Sequence, residues 1–402
     1  MMAATGNRLP IPYLALLLAG LLLRLFLIVV QPLHGSTNPN RVAYNDEASH
    51  WNHALILRDT GRPGVQRSGV RETGSLAQGE VEYSQPPLYY WFSSLVLRVI
   101  GSGPYSITIL RLISLLFWFG ALHLLFYQTP FEGARLPILI GGTLLGAGWI
   151  SSSTINNDSL FALTIAGLYF FAVQAGKKDF SLLRLINLGL LFAVAIWTKL
   201  AALALGPMVL AIAYVAGPKP KGIARVMLVG GIALWATLPL WLQRTVLLGS
   251  PLNIGPAESG ELPPFSLIET LKGTLYSLVM PYMELYWHPA VKIAMLAFAF
   301  LLFAAVCLGA IRFREIHQYI RETGASTATL LFMIGALGSV AAWFYYAIRY
   351  QQSEARLLLP AAPALAIAFG WQLYMYRGWV KRAFVGLVIV VLSLPLVALG
   401  VG

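Results

Sequence analysis

The sequence predicts an all-α polytopic membrane protein, on three observations. Of its 402 residues 58% are apolar and only 11% are charged, whereas a soluble globular chain carries about 25% charged residues. The apolar residues fall in runs near the roughly 20 helical residues that about 30 Å of hydrocarbon demands. Lysine and arginine gather in alternate connections between the runs, as the positive-inside rule expects of a chain with a fixed orientation. No soluble core could absorb that apolar surplus.

Eleven runs read as spans: 11–30, 105–127, 136–153, 160–175, 182–198, 200–216, 226–247, 291–311, 327–348, 357–376 and 383–399. The first ends in Val-Val-Gln-Pro, not in a small-residue cleavage site, and is read as a retained helix, not a signal peptide. The only cysteine, Cys307, falls inside a span, which leaves no disulfide and no thiolate metal cluster to consider. No solenoid repeat or low-complexity tract is visible. One membrane domain over 1–402, without a soluble domain, is the expected organisation.

The segment at 88–100, LYYWFSSLVLRVI, decides the orientation. Thirteen apolar residues suit an interfacial or re-entrant helix better than a span. If it does not cross and the N-terminus is inside, the cytoplasmic connections collect fourteen basic residues against four acids, including AGKKDF, GPKPKG, IRFREIH and YRGWVKR. If it crosses, those clusters move outside. It is therefore placed flat on the outer interface, and the net charge of +12 becomes a topogenic signal that gives little support to nucleic-acid binding.

Two outer loops then exceed hairpin length, at 31–103 and 248–290, and long loops often carry function. In the first, Asn45 or Asp46 can cap a helix reaching about Arg58; a Gly- and Arg-rich stretch follows, and then SQPP introduces the interfacial helix. In the second, a Gly/Pro/Glu-rich stretch gives way to aromatic SLVMPYMELYWHP, the pattern of a movable flap lying back on the membrane.

The residues that can carry chemistry collect on this side. Asp46 and Glu47, in YNDEASHW, place carboxylates at the membrane surface where one can take a proton; a solvated helix cap is the plainer alternative. His50 and His53 follow at helical spacing, either as metal ligands or, more simply, as part of a polar helix face. Asp158, in STINNDSL, either faces the same pocket or caps the fourth span. Lys199, at the tip of WTKLAA, snorkels or binds phosphate. Arg349 and Arg356, in IRYQQSEARLLLP, can clamp a lipid phosphate, with a Glu354 salt bridge as the alternative. The aromatics of LYYW, Tyr89 among them, fit an interfacial belt that needs no ligand.

Taken in order, the long first span, YNDEASHW, SQPPLYYW, RLISLLF, STINNDSL, WTKLAALALGP and EARLLLPAAP resemble the GT-C glycosyltransferases that use polyprenyl-phosphate sugars. The likeness is greatest to bacterial relatives of protein O-mannosyltransferases and of lipid A aminoarabinose transferases. The resemblance implies a GT-C fold of about eleven transmembrane helices, with two juxtamembrane helices in the first outer loop. It implies that Asp46 is the acceptor-activating base with Glu47 beside it, and that Asp158 lines the same site. It also implies a cation before the Pro-Pro-Leu element to hold the donor phosphate, and here the sequence departs, with Gln85 at that place. Arg356, Lys199 or Arg349 then supplies the charge, Arg356 being the best match, and Tyr89 and His50 complete the substrate-binding set.

The expected activity is transfer of a sugar from a polyprenyl phosphate to an acceptor hydroxyl, with inversion, on the outer face of a bacterial inner membrane. The donor is a co-substrate, and no cofactor or divalent metal is required by that chemistry. The acceptor is a lipid, glycan or protein, membrane lipids surround the chain, and nucleic acid is not a partner. The alternatives are a transporter or flippase of a lipid-linked saccharide, which calls for internal repeats and charges at the membrane midplane, and a non-catalytic envelope-assembly protein.

Overall fold

The computed structural model describes residues 11–30, 45–62, 85–129, 135–175, 179–252, 265–280, 288–322, 326–350, 355–366 and 378–395. Within helices it also leaves some side chains undescribed, those of Asp46, Arg349 and Arg356 among them, so three of the predicted site side chains lie outside the described part. Among the described residues all regular structure is helical: α1 (Ile11–Val30), α2 (Asn45–Thr60), α3 (Leu88–Ile100), α4 (Pro104–Gln128), α5 (Arg135–Leu144), α6 (Gly146–Ser153), α7 (Asn157–Ala175), α8 (Leu182–Thr198), α9 (Gly206–Val215), α10 (Gly222–Leu248), α11 (Leu267–Val279), α12 (Pro289–Ile311), α13 (Phe313–Glu322), α14 (Ser326–Tyr350) and α15 (Gly378–Ser393).

Among the described residues six helices are long and apolar enough to cross a bilayer, running in or along α1, α4, α7, α10, α12 and α14. Each coincides with an expected span. The run at 182–198 is one helix, α8, with those bounds. Three other runs are not single helices. The stretch at 200–216 opens as a 3-10 turn over Leu200–Leu205 before α9. That at 357–376 starts within a 3-10 turn over Ala355–Ala361, and its part beyond 366 lies outside the described residues.

The stretch at 136–153 is broken at Leu145 into α5 and α6. Lipid offers nothing to the carbonyls that such a break frees, so the protein must satisfy them itself. The guanidinium of Arg24, fully buried in α1, donates to Gly142 O at 2.6 Å, Thr143 O at 2.9 Å and its own Gly20 O at 3.0 Å, and to Ser152 Oγ at 2.7 Å. Trp118 Nε1 adds a bond to Gly142 O at 3.0 Å. Gly20 permits the approach, since a Cβ there would stand 2.8 Å from Thr143 Cγ2. Arg24 is thus a side chain the sequence reading passed over, although a charge inside a 20-residue apolar helix is itself a signal.

The core forms where α4 packs along α7 and α8 along α10. Leu168, Tyr169, Ala172, Leu188, Ala195, Met208 and Ile212 are among its sealed residues. The helix α14 crosses α9 and the 3-10 turn before it at Gly338, whose backbone lies against the Ala204 carbonyl with no room for a side chain. In the second predicted loop the segment 265–280 forms α11, capped by Ser266 Oγ accepting from Glu269 N, and it packs on α6 and on the 355–361 turn. The rest of that loop, where a flap was expected, lies mostly outside the described residues.

The helix α3 packs beside α2 at the end of the bundle where α1 finishes and α4 begins. These two ends are tied by Arg111 Nη1 donating to Ile28 O at 2.9 Å, so the chain leaving α1 returns to the end it left. One face of α3 buries Tyr89, Tyr90, Ser93, Ser94 and Leu97. The other exposes Trp91, Phe92, Leu95, Val99 and Ile100. Thirteen residues rise only about 20 Å, too short for a span. An exposed apolar face on so short a helix suits the membrane surface.

Candidate active site

The site grows from the turn joining α6 to α7. Nine consecutive residues, Ser151 to Ser159, all but Ile155 being Ser, Thr, Asn or Asp, are each no more than 1% exposed. Such a run survives burial only if its polar groups are matched. Ile155 N donates to Glu47 Oε1 at 2.7 Å, Asn156 N to the Tyr89 hydroxyl at 3.0 Å, and Asp158 N to Asn156 Oδ1 at 2.7 Å. The last of these makes Asn156 the side chain that caps α7.

Glu47 stands in the first turn of α2 and is fully buried. Arg111, in the second turn of α4, grips it in a bidentate pair, Nε to Oε1 at 2.7 Å and Nη2 to Oε2 at 2.6 Å. Arg111 belongs to the RLISLLF motif, yet nothing in its local sequence names Glu47, 64 residues away, as its partner. The pair joins α1, α2, α4 and the α6–α7 turn. Glu47 therefore acts here as a joint that sets the start of α2, and with it the backbone of Asp46.

Asp158, in the first turn of α7, is also fully buried and pairs with Lys199 Nζ. Lys199 terminates α8 in an extended conformation, with φ −157° and ψ 131°, which turns its side chain across to α7. It neither snorkels nor reaches water freely: its residue exposure is 7%. Gln85 is brought to the same place, its Oε1 accepting from Asn157 Nδ2 at 3.4 Å, while Asn157 Nδ2 also donates to Thr198 O at 3.3 Å. The position where the resembled family carries a cation thus lies beside the turn that holds Lys199.

Tyr89 is sealed within this network, its hydroxyl shared with Asn156 N and, at 3.1 Å, Ser114 Oγ. Burial pushes its phenol up to about 12. It supports the α6–α7 turn directly. The two histidines do not form a solvated helix face: His50 and His53 are 2% and 0% exposed, His50 Nδ1 lies 2.7 Å from the Tyr90 hydroxyl, and His53 stacks on the Tyr90 ring with centroids 4.1 Å apart. They weld α2 to α3. No group of three or more metal-binding side chains occurs among the described residues.

The structure thus brings together Glu47, Gln85, Tyr89, Asp158 and Lys199 at one end of the bundle, with His50 one helical turn beyond Glu47. It adds Arg111, Asn156 and Asn157. Of the 355–361 turn that carries Arg356, Leu359 packs on the α4–α7 core and Pro360 O accepts from Tyr169 at 2.7 Å. That turn therefore enters the bundle beside α7.

This arrangement of broken and unbroken helices under a pair of short ones is an all-α membrane fold, and with six helices of bilayer length among the described residues the chain is an integral membrane protein. The solved structures that share it include ArnT from Cupriavidus metallidurans bound to undecaprenyl phosphate, 17% identical with a TM-score of 0.53 over 90% of this chain. The same protein in its apo state matches at 16% identity and a TM-score of 0.54 over 91% of this chain. The chain covers 60% of the length of that neighbour, and at this identity the likeness is one of fold. No family model and no curated protein matches the sequence.

Proposed function

We propose that the protein is a membrane glycosyltransferase that moves a sugar from a polyprenyl-phosphate donor to an acceptor hydroxyl, on the outer side of a bacterial inner membrane and with inversion. One observation carries the reading: the α2 turn bearing Asp46 and Glu47 is fastened to the turn bearing Asp158, which Lys199 pairs, in a fold shared with a protein crystallised with undecaprenyl phosphate.

The chemistry follows from the residue types. Asp46 takes the proton of the acceptor hydroxyl, whose oxygen forms a bond to the anomeric carbon as the bond from that carbon to the phosphate oxygen breaks. The electron pair leaves with polyprenyl phosphate, and a single displacement inverts the centre. Cations at the phosphate stabilise the leaving charge, Lys199 from α8 and Arg356 from the 355–361 turn, with Arg349 nearby in sequence. Glu47 and Arg111 hold Asp46 in register. The monophosphate donor needs no metal for this displacement. The prenyl tail takes the apolar flank of the bundle, and the acceptor is a lipid, glycan or protein hydroxyl.

The test is sugar transfer from a synthetic polyprenyl-phosphate sugar by purified protein, with wild type compared with Asp46→Asn and Arg356→Ala. Both variants are expected to lose at least about a hundredfold in turnover. Full activity in both would remove the assignment.

A further inference from the structure

Asn156 is pinned on three sides. Its backbone N–H donates to Tyr89, its backbone carbonyl accepts from Ser159 Oγ at 3.1 Å, and its side-chain Oδ1 accepts from Asp158 N at 2.7 Å. The last contact fixes the amide: turned over, it would set an N–H2 group against a backbone N–H. The side-chain nitrogen is therefore directed away from the start of α7. It is fully buried and meets no acceptor among the described residues. A buried donor without an acceptor is costly, and such groups in folded proteins call for a specific explanation.

Its neighbours say what the partner is. Asn156 stands between Tyr89 on one side and the Asp158–Lys199 pair on the other, and the adjoining Asn157 meets Gln85, the residue in place of the cation that the resembled family carries. A rigid neutral N–H2 in this position suits an oxygen acceptor. We infer that Asn156 is a substrate-binding residue whose side-chain N–H2 donates to an oxygen of the lipid-linked donor, either a phosphate oxygen or a sugar hydroxyl. The inference rests on the glycosyltransferase reading. It makes recognition here depend on an amide as well as on charge.

The test is binding of a short-chain polyprenyl phosphate, and separately of its glycosylated form, to the purified full chain in detergent. The variant Asn156→Ser keeps an oxygen to cap Asp158 N and removes the amide nitrogen. Its affinity is expected to fall about tenfold, for both ligands if the acceptor is a phosphate oxygen and for the glycosylated ligand alone if it is a sugar hydroxyl. Asn156→Asp, which keeps the shape and the cap and substitutes an acceptor for the donor, is expected to fall further, and it carries the test if the serine variant does not fold. Affinities within twofold of wild type for both ligands in a folded variant would overturn the inference while leaving the glycosyltransferase reading intact. Failure of the wild type itself to bind either ligand would overturn that reading, and this inference with it.

Discussion

Glu47–Arg111 and Asp158–Lys199 lie at the same end of the bundle and are equally hidden from solvent, yet they are built differently. Arg111 commits three nitrogens to fixed partners, two to Glu47 and one to Ile28 O, and Glu47 also takes the Ile155 N–H. Among the described residues Lys199 Nζ meets a single carboxylate oxygen, that of Asp158. The first pair ties four segments. The second joins α7 to α8, which already pack along each other. A guanidinium fork satisfied on all sides makes a joint, whereas an ammonium with one ion-pair contact keeps donors for a ligand.

The largest effect that can break this comparison is expected from Arg111→Met. It strands a buried carboxylate, which costs about 3–5 kcal/mol, and thermal unfolding in detergent would show the loss. Adding Glu47→Leu should restore most of that stability, because replacing both members of a buried pair is often close to neutral. If Arg111→Met unfolds with the wild type, the pair is no joint.

Lys199→Gln should show the opposite balance. Its amide still donates to Asp158, so the stability loss should stay near about 1–2 kcal/mol. On the proposed function, turnover should fall by about a hundredfold or more, because the charge proposed to face the leaving phosphate disappears. Equal losses of stability in the Arg111 and Lys199 variants would erase the distinction.

A smaller effect is expected at Tyr89, which supports the turn between the two pairs. Tyr89→Phe deprives Asn156 N and Ser114 of a partner, at about 1–3 kcal/mol. Burial raises its pKa from 10.0 to about 12, so the unfolded chain ionises first. Its contribution to stability is complete below pH 10 and drains away as pH rises towards 12. Unfolding of wild type and Tyr89→Phe at pH 8 and pH 11 should therefore differ less at the higher pH; a difference that grows with pH would contradict the burial.

Much of the scaffold was legible because hydrocarbon imposes a simple rule on sequence. The bounds of α1 and α8 follow from where apolar runs begin and end, and the shortness of 88–100 set it apart from the spans. The break at Leu145 was not legible: Gly141, Gly142, Gly146 and Gly148 weaken the helix there, but the donor that makes a break tolerable is Arg24, on another helix. The acidic candidates Glu47 and Asp158 stood out as carboxylates at span ends. Their partners did not, since Arg111 and Lys199 lie 64 and 41 residues away and only packing selects them. For the same reason His50 and His53 looked like a polar face until Tyr90 covered them.

The most direct test of the division is kcat for sugar transfer, per folded molecule, in Lys199→Gln and Arg111→Lys at a temperature where both remain folded. The account predicts that Lys199→Gln loses about a hundredfold or more. Arg111→Lys keeps a charge against Glu47 but gives up the bidentate fork, so it should lose stability while its folded molecules stay within about tenfold of wild type. Retained turnover in Lys199→Gln with its loss in Arg111→Lys would contradict the assignment of the two pairs.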